Sequence, residues 1–353
     1  MKGEPGRVFV TRRIPDAGLR ALREAGADVT VGQEADDRPL DRERLLDGVR
    51  AADALLALLT ERVDREVLEA NPYLLGVASC AVGFDNVDVA AATDLGIPVT
   101  NTPGVLTEAT ADLTWALLLG IARRIPEAHA YMTANLFHIW GPNLLLGSDV
   151  GPGADGRRKV LGVVGFGRVG RAVARRAIGF DMEVLVFSPR AKAAVEASDQ
   201  AAWADLEQLL ERSDFVSLHT SLRPETRHLI GERELGRMKR TAYLINVSRG
   251  PVVDEAALVR ALRENWIAGA ALDVFENEPA TAPGLLELPN VVLAPHVGSA
   301  TRGTRDLMAV MAARGALHHL RREASPHAVN PAVYQTEAYR RRTSARPPSP
   351  ILP

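Results

Sequence analysis

One cysteine, Cys80, stands in the 353 residues, so no disulfide can form within the chain and a reducing cytoplasm is the expected setting. Net charge is scarce too. A formal −2 offers no electrostatic case for nucleic acid or a membrane surface. No apolar stretch is long enough to span a bilayer, because Trp, Gly and Arg interrupt even LTWALLLGIARR, and MKGEPGRVFVTRRIP lacks the apolar core of a signal peptide. The eight histidines are scattered, and the His318–His319 pair has no nearby cysteine, so no metal site is expected. Ser217 and Ser248 lack a GxSxG elbow, which argues against a serine hydrolase. No repeat is visible. What remains is an ordinary globular composition, 46% hydrophobic and 24% charged, with material for two domains.

Apolar runs alternate with helical patterns along the first hundred residues. RVFVT (7–11), ADALLALL (52–59), LLGVAS (74–79) and IPVTN (97–101) read as strands. DAGLRALREAGAD (16–28), DREVLEANP (64–72) and VDVAAATDLG (87–96) read as helices between them. That is the signature of a parallel sheet covered on both faces. TEATADLTWALLLGIARRI, from Thr107, predicts one long helix with Leu113, Leu117 and Ile121 on one stripe. An irregular Pro/Gly segment runs from about Phe137 to Gly156, and its GPGADGRR stretch predicts an exposed loop. A second β/α run begins at Lys159 and ends at NVVLAPH; within it Asp254 is the expected N-cap of a helix EAALVRAL that stops at Asn265. TRGTRDLMAVMAARGALHHLRRE predicts a long final helix, and the polar, proline-rich tail from 336 to 353 is expected to be disordered.

Two groups of residues carry chemistry. GFGRVG (165–170) follows the apolar strand VLGVV and opens a helix, which is the context a dinucleotide-binding turn requires. Gly165 allows the tight turn, Gly167 lets backbone approach a pyrophosphate, and Gly170 permits close helix–strand packing. The next strand ends in FSPR, with Ser188 where an NAD enzyme usually carries an acid for the ribose 2′-OH. Without that carboxylate a 2′-phosphate meets no repulsion, and Ser188 and Arg190 can bind it, so NADP is favoured over NAD.

The second group is Arg249, Glu278 and His296, in INVSRG (245–250), DVFENEP (273–279) and APHVGSAT (294–301). Each follows a buried-strand pattern: AYLIN, AGAAL, NVVLA. A parallel sheet delivers such residues to its carboxyl edge, where ligands bind. A fixed cation, a carboxylate and an imidazole there suit proton-coupled chemistry on a small anion. Guanidinium matches a planar carboxylate and stabilises negative charge developing on a carbonyl oxygen. Imidazole titrates near working pH, and a carboxylate bonded to it stabilises its protonated form. Glu276 competes with Glu278 for that second role.

Taken in order, VGFDNVDVAAATDLGIPVTNTPGVLTEATADLTWALLL, RRIPEA, GPNLLLGSDV, VGFGRVG, INVSRGPVVDEAALVRAL, ALDVFENEP and LAPHVGSAT resemble the D-isomer-specific 2-hydroxyacid dehydrogenase family, from about Arg7 to Pro331. NTPGVLTEAT, the Trp140-Gly141-Pro142 segment, the serine of HTSL (219–222) and the non-acidic FSPR lean towards its glyoxylate/hydroxypyruvate reductases. The resemblance implies two doubly wound, Rossmann-like α/β domains. Residues 1–106 and 300–335 would form a discontinuous substrate-binding domain, and 107–299 an inserted NAD(P)-binding domain, with the active site in a cleft between them.

The resemblance also implies roles. His296 is the general acid for carbonyl reduction, Glu278 rather than Glu276 its partner, and Arg249 the substrate's carboxylate and carbonyl ligand. Val82 and Gly83 match the family's carboxylate-binding backbone. Thr107, Arg168, Val169, His219, Ser221, Val247, Ser248, Asp273 and Gly298 join the glycines, Ser188 and Arg190 along the cofactor, with Asp273 near the nicotinamide carboxamide. Ser221 departs from the proline found in many relatives. Trp140 either reaches a partner subunit's active site and limits substrate size or packs in the core of a homodimer. The expected reaction is reduction of glyoxylate or hydroxypyruvate to the D-2-hydroxy acid. Two alternatives stay open: another 2-hydroxyacid or phosphite dehydrogenase, and a non-catalytic, cofactor-sensing scaffold like the family's corepressors. Formate oxidation is disfavoured because Glu278 is not glutamine, and a phosphoglycerate dehydrogenase would usually add a C-terminal regulatory domain.

Overall fold

The computed structural model describes residues 6–35, 38, 40–197 and 201–344. The chain divides into two compact units, one drawn from 1–106 and 300–353, the other from 107–299. Each is an α/β layer structure around a parallel sheet.

In the first unit, strands β1 (Arg7–Val10), β2 (Asp28–Val31), β3 (Ala54–Ala57), β4 (Val77–Ser79) and β5 (Val99–Thr100) pair in the order β2-β1-β3-β4-β5, all parallel. This is one of the two common doubly wound orders. Both faces of a parallel sheet are covered by helices, so its central strands read as unbroken apolar runs. In β3 all four residues of ALLA are fully buried, each leucine contributing roughly 1.5–3 kcal/mol of burial free energy. The helices Asp16–Glu24 and Arg302–Arg321 pack closely because Gly18 has no side chain: a Cβ there would stand 2.7 Å from Ala309 O.

In the second unit, β6 (Val160–Val164), β7 (Glu183–Phe187), β8 (Ala202–Trp203), β9 (Phe215–Leu218), β10 (Tyr243–Asn246), β11 (Gly269–Leu272) and β12 (Val291–Leu293) pair in parallel as β12-β11-β10-β9-β6-β7-β8. The strand order reverses at β6, between β7 on one side and β9 on the other. That switch point is where such sheets open a crevice for ligands at their carboxyl ends. Asp254 caps the helix Glu255–Arg263 by accepting from Ala257 N–H at 2.9 Å, and Asn265 follows it with φ +56°.

Two expectations are corrected, and two elements are added. The segment from Thr107 is two helices, Thr107–Ala122 and Ile125–Thr133, because Arg124 adopts the left-handed region (φ +52°) and ion-pairs with Glu127. The short edge strand β2 and the helix Arg42–Ala51 were not evident from the residues. β2 has no fully buried position to leave an apolar mark, and the helix is rich in charge, with Asp41 as its N-cap. The expected disorder of 336–353 fails over Glu337–Ser344, which is helical. The Arg342 guanidinium there donates to the carbonyls of Leu95, Pro72 and Leu74 at 2.8, 3.0 and 3.0 Å, tying the helix to its unit. Residues 345–353 lie outside the described residues.

Candidate active site

Every candidate between Thr107 and Gly298 belongs to the second unit, and nearly all, Thr107 and Trp140 apart, lie just past the carboxyl ends of its strands. The glycine turn follows β6. Gly165 has φ +96°, and a Cβ on it would stand 2.6 Å from His219 O in the loop after β9. A Cβ on Gly170 would stand 2.1 Å from Gly165 O, so the helix Arg168–Ala177 sits tightly on the turn. Gly167, the N-cap of that helix, has nothing within 4 Å of where a Cβ would be. A helix N-terminus with an unobstructed approach fits a pyrophosphate, and Arg168 and Val169 form its first turn. These residues therefore fit a dinucleotide.

Around the turn, Ser188 directly follows β7, and Arg190 is exposed beside it. Lys192 stands over the Trp203 ring, 4.0 Å from its centroid, close in sequence to both. His219 follows β9. Its Nε2 pairs with Ser217 Oγ at 2.8 Å, burial pushes its pKa down to about 3, and its buried Nδ1 has no hydrogen-bond partner among the described residues. Ser221 O accepts from the hydroxyls of Thr220 and Thr226 at 3.0 and 2.8 Å. Thr107 opens the helix Thr107–Ala122.

Arg249, Glu278 and His296 follow β10, β11 and β12, three neighbouring strands whose ends are level: Asn246 pairs with Leu272, and Leu272 with Leu293. Asn246, fully buried, shapes the first loop. Its Oδ1 accepts from Ser248 N–H and Oγ–H at 3.0 and 2.8 Å, and its Nδ2 donates to Arg249 O at 3.0 Å. Val247 is buried behind it, and Arg249 Nη1 donates to Ser248 O at 2.8 Å.

Asp273 directly follows β11 and is 1% exposed. Its carboxylate accepts from Val297 N–H at 2.7 Å and Gly298 N–H at 2.8 Å. Burial holds its pKa above the ordinary carboxylate range despite those two donors and the nearby His296. Both oxygens are thus engaged by the backbone that follows His296. His296 itself has φ +55°, a region costing a non-glycine residue about 1–3 kcal/mol, and its N–H donates to Asp273 O at 2.9 Å.

The imidazole Nδ1 and Glu278 Oε2 are 2.8 Å apart, with each side chain 30% exposed. Glu278 Oε1 accepts from Phe275 N–H at 3.0 Å. Burial pulls the Glu278 carboxyl upward, but the bond and charge of His296, the Phe275 N–H and Arg249 outweigh it, and its pKa lies below the usual value. The rival acid is occupied elsewhere: Glu276 Oε1 holds His228 Nε2 at 2.6 Å and Arg227 Nη2 at 3.2 Å. Geometry thus selects Glu278 as the partner of His296.

Val82 and Gly83 lie in the first unit, past β4, where Val82 O accepts from Asn101 Nδ2 at 2.7 Å. Trp140 is 73% exposed in the loop beyond the helix Ile125–Thr133. Asn246 and Glu255 escaped the sequence reading. Asn246 sits inside a motif already singled out, so its amide was available as a signal. Glu255 looked like any acid in the first turn of a helix.

A parallel sheet with a glycine turn at its switch point defines a dinucleotide-binding protein, and an imidazole–carboxylate pair on the same sheet edge as an arginine is a geometry suited to acid–base chemistry on an anion. Comparison with known proteins agrees. The family model for the "D-isomer specific 2-hydroxyacid dehydrogenase, NAD binding domain" matches residues 115–298. A glyoxylate reductase of Thermococcus gammatolerans is 49% identical over 335 residues, 94% of this chain and 98% of that protein. The crystal structure of a Thermus thermophilus protein superposes with a TM-score of 0.83 at 44% identity, covering 92% of this chain and 99% of that one. That of an NADPH-dependent glyoxylate/hydroxypyruvate reductase from Sinorhizobium meliloti, in complex with NADP and malonate, has a TM-score of 0.78 at 31% identity, covering 93% and 98%. The chain belongs to the D-isomer-specific 2-hydroxyacid dehydrogenase family. It is an oxidoreductase that uses a nicotinamide dinucleotide to reduce 2-keto acids.

Proposed function

We propose that the protein reduces glyoxylate or hydroxypyruvate to the D-2-hydroxy acid, with NADPH preferred over NADH. The observation that carries the reading is the His296 Nδ1–Glu278 Oε2 pair at 2.8 Å, on the sheet edge that also bears Arg249. When bound, the reduced nicotinamide supplies a hydride to the carbonyl carbon. Arg249 binds the substrate carboxylate and steadies the charge growing on the carbonyl oxygen. Because Nδ1 is committed to Glu278, the ring is held in place and the proton passes from His296 Nε2 to that oxygen. Val82 and Gly83 take part in carboxylate binding by the family pattern.

The glycine turn, Arg168, Val169, Thr107, His219, Ser221, Val247, Ser248, Asp273 and Gly298 line the cofactor in this reading. Asp273 acts at least in part through the backbone it holds. Preference for the 2′-phosphate rests on Ser188 and Arg190, with Lys192 adding positive charge nearby. The NADPH-dependent relative from Sinorhizobium meliloti supports it. Function as a homodimer is supported by Ile125, Met132, Ile139, Trp140 and Leu146, which are 57%, 57%, 82%, 73% and 64% exposed. Exposure of so many large apolar side chains in one segment marks an interface. No helix among the described residues is long and apolar enough to cross a membrane, and a cytoplasmic setting fits the single buried cysteine.

A panel of small 2-oxo acids assayed with NADPH and NADH tests the reading. Highest kcat/KM on glyoxylate or hydroxypyruvate with NADPH is expected. Cofactor binding without turnover of any 2-oxo acid would favour the sensing scaffold instead. Ser188→Asp should shift preference towards NADH, and an unchanged ratio would remove Ser188 from the cofactor argument.

A further inference from the structure

The loop that carries Glu278 is held at both ends by one buried carboxylate. Glu255 opens the helix Glu255–Arg263 and is 3% exposed. Its Oε1 accepts from Glu276 N–H at 2.9 Å, and its Oε2 accepts from Ala282 N–H at 2.8 Å. These two donors lie on either side of Glu278. Within the bracket the loop's own backbone contributes a bond from Ala280 N–H to Asn277 O at 2.9 Å. The grip is reciprocal, since Glu276 Oε2 accepts from Glu255 N–H at 3.4 Å. The other oxygen of Glu276 engages His228 and Arg227, so the same loop is braced from outside as well. A third constraint is steric: a Cβ on Gly250 would stand 1.8 Å from Phe275 O, so the loop after β10 is packed directly against the start of this one.

We propose that Glu255 is a positioning residue for the reaction, its two oxygens setting where Glu278 stands relative to His296. The proposal rests on the reading of His296 and Glu278 as the acid–base pair. Two charge-assisted bonds to backbone N–H groups are strong and directional, and a side chain buried to this degree has little freedom to follow a drifting loop. Misplacing a catalytic group by about 1 Å can cost on the order of 10²-fold in rate, which is the leverage such a bracket exerts. The charged groups facing the pair are Asp273, against the backbone of His296, and Arg249, whose charge acts on Glu278.

Glu255→Gln tests this with little change of volume. An amide has one acceptor oxygen, so it can keep one N–H and must turn an NH₂ towards the other. Three readouts are taken on the full chain: kcat, cofactor affinity by fluorescence, and the titration of the Glu278 side-chain carboxyl by ¹³C NMR, assigned with Glu278→Gln. The expected result is a roughly tenfold or greater fall in kcat, unchanged cofactor affinity, and a Glu278 titration moved upward as it loses His296. The double variant Glu255→Gln/Glu278→Gln should be no slower than Glu278→Gln alone, because both changes remove the same contact. An unmoved Glu278 titration, or additive losses in the double variant, would overturn the proposal. Should Glu255→Gln fail to fold, Glu255→Asp replaces it: the shorter carboxylate cannot span both N–H groups, so the Glu278 titration should move the same way, and no movement overturns the proposal equally. The titration needs no turnover, so it tests Glu255 even in a chain that reduces no keto acid.

Discussion

The two sheets share an architecture and differ at their carboxyl edges. In the five-stranded sheet much of that edge is buried: Ser79 and Thr102 are enclosed, and the groups after β1 and β3 gather on one acid. Glu61, 3% exposed, follows β3 and accepts from Thr11 Oγ1 at 2.7 Å, Thr60 Oγ1 at 2.7 Å and Leu58 N–H at 3.2 Å, and it ion-pairs with Arg12 Nε at 3.1 Å. Cys80, past β4, is buried so fully that its thiol is pushed up to about 12 and stays inert. In the seven-stranded sheet the corresponding loops leave His296 and Glu278 paired but 30% exposed, and the glycine turn open at Gly167. Parallel strands deliver polar loops to one edge in both units. Whether those loops become structure or chemistry depends on how far their groups are buried or left open to solvent.

The comparison can be broken in a graded way. His296→Ala should reduce kcat by on the order of 10²–10⁴ with cofactor affinity and unfolding midpoint nearly unchanged; a loss of stability with little loss of rate would move this edge into the structural class. Glu61→Ala should do the reverse. It leaves Arg12 and the Leu58 N–H without the carboxylate, and breaking a buried ion pair costs roughly 3–5 kcal/mol, which denaturant titration would read while the affinity for cofactor holds. Arg342→Ala should cost less, about 1–3 kcal/mol, by releasing carbonyls of the first unit and the helix Glu337–Ser344; an unchanged unfolding midpoint would show that this helix contributes nothing to its unit.

An effect that is absent at neutral pH concerns acid stability, where the units are alike. Burial lowers His319, in the first unit, to about 4 and His219, in the second, to about 3, both from 6.5. For a group whose folded pKa is depressed below its unfolded value, the unfolded chain takes up protons first as pH falls. Stability is therefore full above about 6.5 and declines as pH drops towards the folded values. His319→Gln should flatten that decline by at most ~1.4 kcal/mol per pH unit. A slope identical to the parent's would mean that this imidazole is not buried neutral.

Much of this was legible beforehand because it is encoded locally. Apolar runs such as VLGVV and ALLA announce central parallel strands, Asp254 announces a helix start, and the glycine motif announces a turn in which Gly165 and Gly170 leave no room for a side chain. What local pattern could not carry was missed for a physical reason. β2 buries too little to leave an apolar signature. The break at Arg124 depends on a backbone angle that an arginine tolerates but does not advertise. The helix Glu337–Ser344 looks like a solvated tail until Arg342 meets carbonyls from residues more than two hundred positions away.

The sequence alone determined most of the order of strands and helices, the glycine turn and the candidacy of Arg249, Glu278 and His296, the first two through local pattern and the last through strand-end positions and the family resemblance. The resemblance favoured Glu278, and only the tertiary structure supplied the contacts that separate the two acids. Glu276 and Glu278 are nearly indistinguishable along the chain, yet the loop between β11 and β12 turns one towards His228 and the other towards His296. That choice is made by a third acid, Glu255, whose buried oxygens hold the loop from a different helix, and no reading of adjacent residues contains the distance between them.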